Sequence, residues 1–205
     1  MRDDTHSARF VARVRRLCEP EQGSGRAARA ILARSAGREP GGDPGAIRLL
    51  EPLLPPGLRP HERAVYYGVA QLYAIHPRNM REAARQRSLG GALGQLVDRE
   101  GREQRIPVGL EQHLQRAVDR PSGEVWGPLR ALIVLLERGQ KGLDHRRLLS
   151  DLLAWDTGDK RVQAQWMREF YAADFEIPAP TNPLGGRPAA SGIFGETGAE
   201  TPAGG

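Results

Sequence analysis

Residues 143–171 read LDHRRLLSDLLAWDTGDKRVQAQWMREFY, and this stretch admits few kinds of structure. Leu148, Leu149, Leu152 and Trp155 fall at helical spacing and make one apolar stripe. Asp144 stands just before them, where a short carboxylate side chain can accept a bond from an orphan amide of the first turn. Val162, Trp166 and Phe170 then recur every fourth residue, with Met167 and Tyr171 widening the face. Asp156, Thr157, Gly158 and Asp159 break the pattern, so the two helices are expected to pack as an antiparallel hairpin. Asp151 and Asp156 read as a solvated face and a terminal cap.

The rest of the chain is helical on the same criteria. No segment alternates with period two beyond a few residues, so no strand is expected. A first helix over 5–17 carries Phe10, Val14 and Leu17 on one stripe and Arg9, Arg13 and Arg16 on the stripe beside it. A second runs over 26–35 behind Ser24, a short one lies at 46–54, and Pro60 opens a strong one over 61–75. Its small residues Ala64, Gly68 and Ala70 allow a neighbour close approach. Gly90 and Gly94 give the helix expected at 89–97 the spacing of a tight helix contact. Ile106, Leu110, Leu114 and Val118 face one way on a helix with Pro107 in its first turn, where proline is tolerated. The helix over 125–136 is the most apolar and is expected to be central. The fold class is therefore all-α, a two-lobe bundle of eight or nine helices. Gly101 divides it into lobes 1–99 and 100–177, and 178–205, built from Pro, Gly, Ala, Ser and Thr, is expected to be a disordered tail.

Charge narrows the function. Cations exceed anions by five, and of thirty cations only Lys141 and Lys160 are lysine. Arginine presents a planar fork that suits phosphate, which agrees with a nucleic-acid partner, although a GC-rich coding bias yields the same composition. Arg81, Arg85 and Arg87, with Arg78, crowd into ten positions against Glu82 alone. Arg146-Arg147 and Lys160-Arg161 open two helices where the dipole is positive, at a cost of about 0.3–1 kcal/mol against an anion. That placement suggests a negative ligand nearby, or else solvated charge. Because anions suit a helix N-terminus, exchanging Arg146 and Arg147 together for Glu is expected to leave folding nearly unchanged.

Catalytic and metal chemistry is not legible. The five histidines have no ligand spacing among themselves or with Cys18, and read as surface or cap residues. Cys18 ends a helix without a His beside it in sequence, and no glycine loop follows a strand to cradle phosphate. No cofactor, metal or enzymatic activity is expected. A single cysteine, no secretory segment and no long apolar run place the chain in the cytoplasm, away from membranes.

The ordered set LxxxxLLxDLLxW, a turn with Lys-Arg, then QWxREFY resembles the C-terminal end of the CasB family, the small subunit of the type I-E CRISPR surveillance complex, Cascade. Ser88-Leu89-Gly90, Glu103-Gln104-Arg105-Ile106 and Leu129-Arg130-Ala131-Leu132 occur upstream in the family's order, so the likeness covers about 7–175. The resemblance implies a non-catalytic helical subunit whose partners are the guide-RNA-bearing backbone subunits, the large subunit and a second copy of itself. It further implies that the R-loop is steadied by holding the displaced strand of target DNA. Arg26, Arg29, Arg102, Arg105, Arg130, Arg146, Arg147, Lys160 and Arg161 map onto family-like positions, and Arg81, Arg85 and Arg87 join them on charge density. Aromatics are sparse, so base stacking is not expected to dominate. A helical interaction scaffold without nucleic-acid contact is the alternative. A helix-turn-helix regulator is weaker, since no short turn leads into a polar recognition helix.

Overall fold

The computed structural model describes residues 2–19, 23–78, 87–97 and 106–172. Nine α-helices run through them: α1 (Arg2–Leu17), α2 (Gly25–Ser35), α3 (Pro44–Leu50), α4 (Pro60–Ile75), α5 (Leu89–Gly94), α6 (Leu110–Val118), α7 (Trp126–Arg138), α8 (His145–Leu153) and α9 (Arg161–Ala172). A 3-10 turn (Glu51–Leu53) links α3 to α4, and no strand occurs among the described residues. The all-α reading holds. The boundary at Gly101 and the tail from 178 lie outside the described residues. No helix among the described residues is long and apolar enough to cross a membrane.

Helix starts follow local chemistry. Asp43 Oδ1 accepts from Ala46 N at 3.0 Å ahead of Pro44, and Glu62 reaches back to Arg59 N at 2.8 Å ahead of α4. Helix α6 differs from expectation. It begins at Leu110, whose N–H closes a turn onto the Pro107 carbonyl at 3.0 Å, so Ile106 and Pro107 precede it.

The centre is α4, not α7. Ten consecutive residues of α4, Val65 to Ala74, are buried, so this helix is enclosed on every side. Helix α7 buries one stripe, Leu129, Leu132, Ile133 and Leu136, and leaves its other face open. Hydropathy favoured α7 because α4 carries Tyr66, Tyr67, Gln71 and Tyr73, whose polar tips disguise buried bodies. A Cβ on Gly68 of α4 would stand 2.1 Å from the Trp126 ring, so glycine lets that indole lie on the central helix.

The expected hairpin is also rearranged. Helix α8 packs on α1 and α4, while α9 packs along α5. A Cβ on Gly90 of α5 would fall 1.9 Å from the Trp166 carbonyl oxygen, so only glycine admits α9 at that distance. The turn just beyond α8 meets α9: the Trp155 and Trp166 rings lie 4.7 Å apart, and Gln163 Nε2 donates to the Trp155 carbonyl at 2.8 Å. One apolar cluster runs through all nine helices, from Phe10 and Leu32 to Leu149, Trp166 and Phe170.

Candidate nucleic-acid interface

The sequence-derived cations divide into those the fold uses internally and those it leaves outward. Arg29 of α2 is half-buried, and its Nε donates to the Ala74 carbonyl at 2.9 Å, where it closes the end of α4. Arg147 Nε donates to Asp151 Oδ1 at 2.7 Å, and the Trp166 indole donates to Oδ2 of the same carboxylate. Asp151 is 5 % exposed, so it is a buried anion and not the solvated residue expected. Burial pushes its carboxyl above the usual range, against the bonds from Trp166 and Arg147. Arg87, half-buried before the Ser88 cap of α5, also has a partner.

The dipole puzzle has an internal answer. Asp144 Oδ1 accepts from Arg146 N at 2.9 Å and Arg147 N at 3.2 Å, and Arg146 Nε lies 3.6 Å from it. At α9, Asp159 Oδ1 accepts from Arg161 N at 3.3 Å, and its other oxygen pairs with the Arg161 guanidinium. A carboxylate therefore sits at each helix start, and the cations beside it require no external anion there. Asp156 is likewise an anchor: its carboxylate accepts from Ser122 N at 3.0 Å and from the Ser122 hydroxyl, tying the loop before α7 to the end of α8.

The cations left outward are Arg26, Arg130, Lys160 and Arg161, with Arg146 half-buried. Arg26 is exposed in the first turn of α2. Arg130, on the open face of α7, lays Nη1 3.4 Å from where a Gly37 Cβ would stand, over the C-terminal end of α2. Its side chain is exposed. Arg130 also rims an open groove of about 460 Å³ between α6 and α7, together with Arg138, His113, Val108, Ala131, Val134 and Leu135. Among the described residues, no carboxylate lines that groove. Lys160, in a left-handed conformation at φ 49°, lines a second groove of about 330 Å³ with Arg120, Pro121 and Trp155. Arg81, Arg85, Arg102 and Arg105 fall outside the described residues.

Sequence reading missed Arg138 and Arg120. Arg138 lies eight residues after Arg130, just over two turns along α7, so the spacing would have found it. Arg120 carried no periodic signal, because it lies in the irregular link beyond α6.

Cys18, His76 and His145 are withdrawn from the surface. Cys18 is buried, and burial pushes its thiol up to about 11 against the pull of Arg29. His76 and His145 are fully buried, contrary to the surface role expected, with rings 6.0 Å apart. No group of His, Cys, Asp or Glu able to hold a metal occurs among the described residues.

Fold and site together define a helical scaffold that presents guanidinium groups from α2, α7 and the start of α9. The chain belongs to the Cse2 family of CRISPR-associated proteins, whose model matches residues 28–171. A CRISPR-associated protein Cse2 from Thermus thermophilus is 32% identical over 166 residues, 80% of this chain and 89% of that protein. The crystal structure of CasB from Thermus thermophilus superposes with a TM-score of 0.67 at 32% identity, covering 81% of this chain and 97% of that one. A chain of a CRISPR RNA-guided surveillance complex superposes with a TM-score of 0.64 at 26% identity, over 84% of this chain and 95% of its own. The resemblance read from the QWxREFY end is thus a family relationship.

Proposed function

We propose that this chain is the non-catalytic small subunit of a type I-E Cascade surveillance complex and that it holds nucleic-acid backbone through its outward cations. The partners in this reading are the guide RNA and the displaced strand of target DNA, the backbone and large subunits, and a second copy of the chain. Arg26, Arg130, Arg146, Lys160 and Arg161 make the phosphate contacts, joined by Arg81, Arg85, Arg102 and Arg105. Arg29, Arg87 and Arg147 contribute by holding the surface in shape. The observation that carries the reading is the α6–α7 groove, where Arg130 and Arg138 stand without an opposing carboxylate among the described lining residues. Forks on phosphates carry no base information, so the contact is independent of sequence.

The test is a reconstituted complex with guide RNA and target DNA, its displaced strand probed with a single-strand-specific nuclease. Arg130→Glu in the subunit is expected to expose that strand while assembly stays normal. Equal protection in parent and variant would remove Arg130 from the interface.

One feature favours a protein partner in the same groove: Val108 is 99% exposed beside Ala131, Val134 and Leu135. On that reading the chain is an interaction scaffold, and Val108→Ser releases a neighbouring subunit while the strand of the remaining complex stays protected.

A further inference from the structure

The stripe of arginines on α1 has no place in that interface. Arg9, Arg13 and Arg16, with His6, lie within one face of the helix, because their spacings of three and four residues step along a single side. All four side chains are exposed, and no ion pair holds Arg9, Arg13 or Arg16 among the described residues. The span from Arg9 to Arg16 is seven residues, about 10 Å along the axis. The stripe also precedes residue 28, where the match to the family model starts.

Beside the stripe lies a slot of about 160 Å³. His6, Arg9 and Arg13 form its cationic wall, Phe10 lies at its base, and Leu53, Leu54, Pro55 and Pro56 form the opposite wall. Among the described residues, no carboxylate lines it. The nearest acidic residue of the opposing segment, Glu51, is occupied by Arg63 and by the Tyr67 hydroxyl at 2.7 Å, so it does not neutralise the stripe. A row of guanidinium groups with no ion pair among the described residues, set against an apolar slot, matches a strand of linked phosphates carrying flat apolar-faced bases. An acidic protein face would satisfy the row, but its carboxylates have no use for the apolar slot.

We propose that α1 carries a second site for single-stranded nucleic acid, in which Arg9, Arg13 and Arg16 take phosphates and the slot against Leu53–Pro56 takes a base. It uses none of Arg26, Arg130, Lys160 or Arg161.

The isolated full chain is titrated with labelled oligothymidylate over a range of salt, alongside an abasic strand of equal length. Parent protein binds the base-bearing strand several-fold more tightly than the abasic one. Arg9→Gln/Arg13→Gln/Arg16→Gln weakens binding by about tenfold or more at low salt and flattens the log–log slope by about 2, from three phosphates at about 0.7 each. Because the three side chains are exposed, this variant melts with the parent; the triple Lys variant, which keeps the charge, recovers most of the binding. A parent-like slope in the Gln triple overturns the site, and so does a parent that binds neither strand. Parent-like binding with loss of a neighbouring subunit instead assigns the stripe to an acidic protein. Arg26→Gln/Arg130→Gln/Lys160→Gln/Arg161→Gln reports separately on the first interface, since its failure leaves the α1 slope intact.

Discussion

The indole N–H of Trp166 donates to Oδ2 of Asp151 across 2.7 Å, and this contact joins α9 to α8 where their backbones stay apart. The second oxygen of Asp151 accepts from Arg147 Nε. One carboxylate thus satisfies a buried tryptophan and anchors an arginine that sequence had assigned to phosphate. Asp151→Ala strands both donors. Breaking a fully buried charge pair costs about 3–5 kcal/mol. The Arg147 side chain is 29% exposed and can turn to water, so about 2–3 kcal/mol is expected, read as a lowered urea midpoint with the slope unchanged. A loss under about 1 kcal/mol would mean that the carboxylate does not join the two helices.

The same geometry separates two adjacent arginines. Arg146→Glu alone is expected to shift stability by no more than about 0.5 kcal/mol, because Arg146 keeps only a long contact to Asp144 and is 40% exposed. Arg147→Glu sets a carboxylate against buried Asp151 and should lower the melting temperature by several degrees. The double variant therefore does not fold like the parent, contrary to the expectation drawn from helix dipoles alone. Thermal melts of both single variants check this, and equal midpoints would contradict it.

The all-α fold was legible because its apolar periodicity is strong: the Phe10 and Val14 stripe and the Leu148, Leu149 and Leu152 stripe are buried as read. The cap at Asp144 follows from a short side chain that needs no tertiary context. What periodicity does not carry is which stripe meets which. The pairing of α9 with α5 depends on one missing side chain, at Gly90, and sequence order favoured α8 instead. The site was legible in part for a related reason. Arg130 and Arg147 look alike in sequence, and only a carboxylate four residues on, arriving buried under Trp166, turns Arg147 inward.

Gly90 and Gly68 both admit a close neighbour, yet their alanine variants should differ. At Gly90 the added methyl meets the Trp166 backbone, which moves only if α9 moves with it. At Gly68 it meets the Trp126 ring, a side chain that is half-buried and can turn aside. Gly90→Ala is expected to cost at least about 3 kcal/mol, and Gly68→Ala about 1–3 kcal/mol. Chemical denaturation of the two variants ranks them, and the reverse order would show that the α5–α9 contact yields more easily than the indole.

The buried histidine pair should make the fold acid-sensitive. His145 lies between the Tyr73 ring at 4.9 Å and the His76 ring at 6.0 Å. Burial, aided by the neighbouring His76, lowers its pKa from 6.5 to about 3, against a bond to the Leu143 backbone. His76 is lowered by burial too, while Glu137, 2.6 Å from its Nδ1, works against the shift. In the unfolded chain both imidazoles take up a proton below their ordinary value. In the fold His145 refuses it until about pH 3, so the unfolded state binds more protons throughout that window. Stability is then fully present above pH 6.5 and drains as pH falls, at about 1.4 kcal/mol per unit for His145 once its unfolded form is protonated. Asp151 works in the opposite sense. Its raised carboxyl gains a proton in the fold before it does in the unfolded chain, which favours the fold as pH drops. Comparing the parent with His145→Phe cancels that contribution, since Asp151 is common to both. Phenylalanine keeps the ring against Tyr73 and cannot titrate, so the stability gap between parent and variant should change by about 1.4 kcal/mol per unit between pH 6 and pH 4.5. Urea melts across that interval measure it, and parallel curves for the two proteins would show that His145 opens to water before it is asked to take a proton.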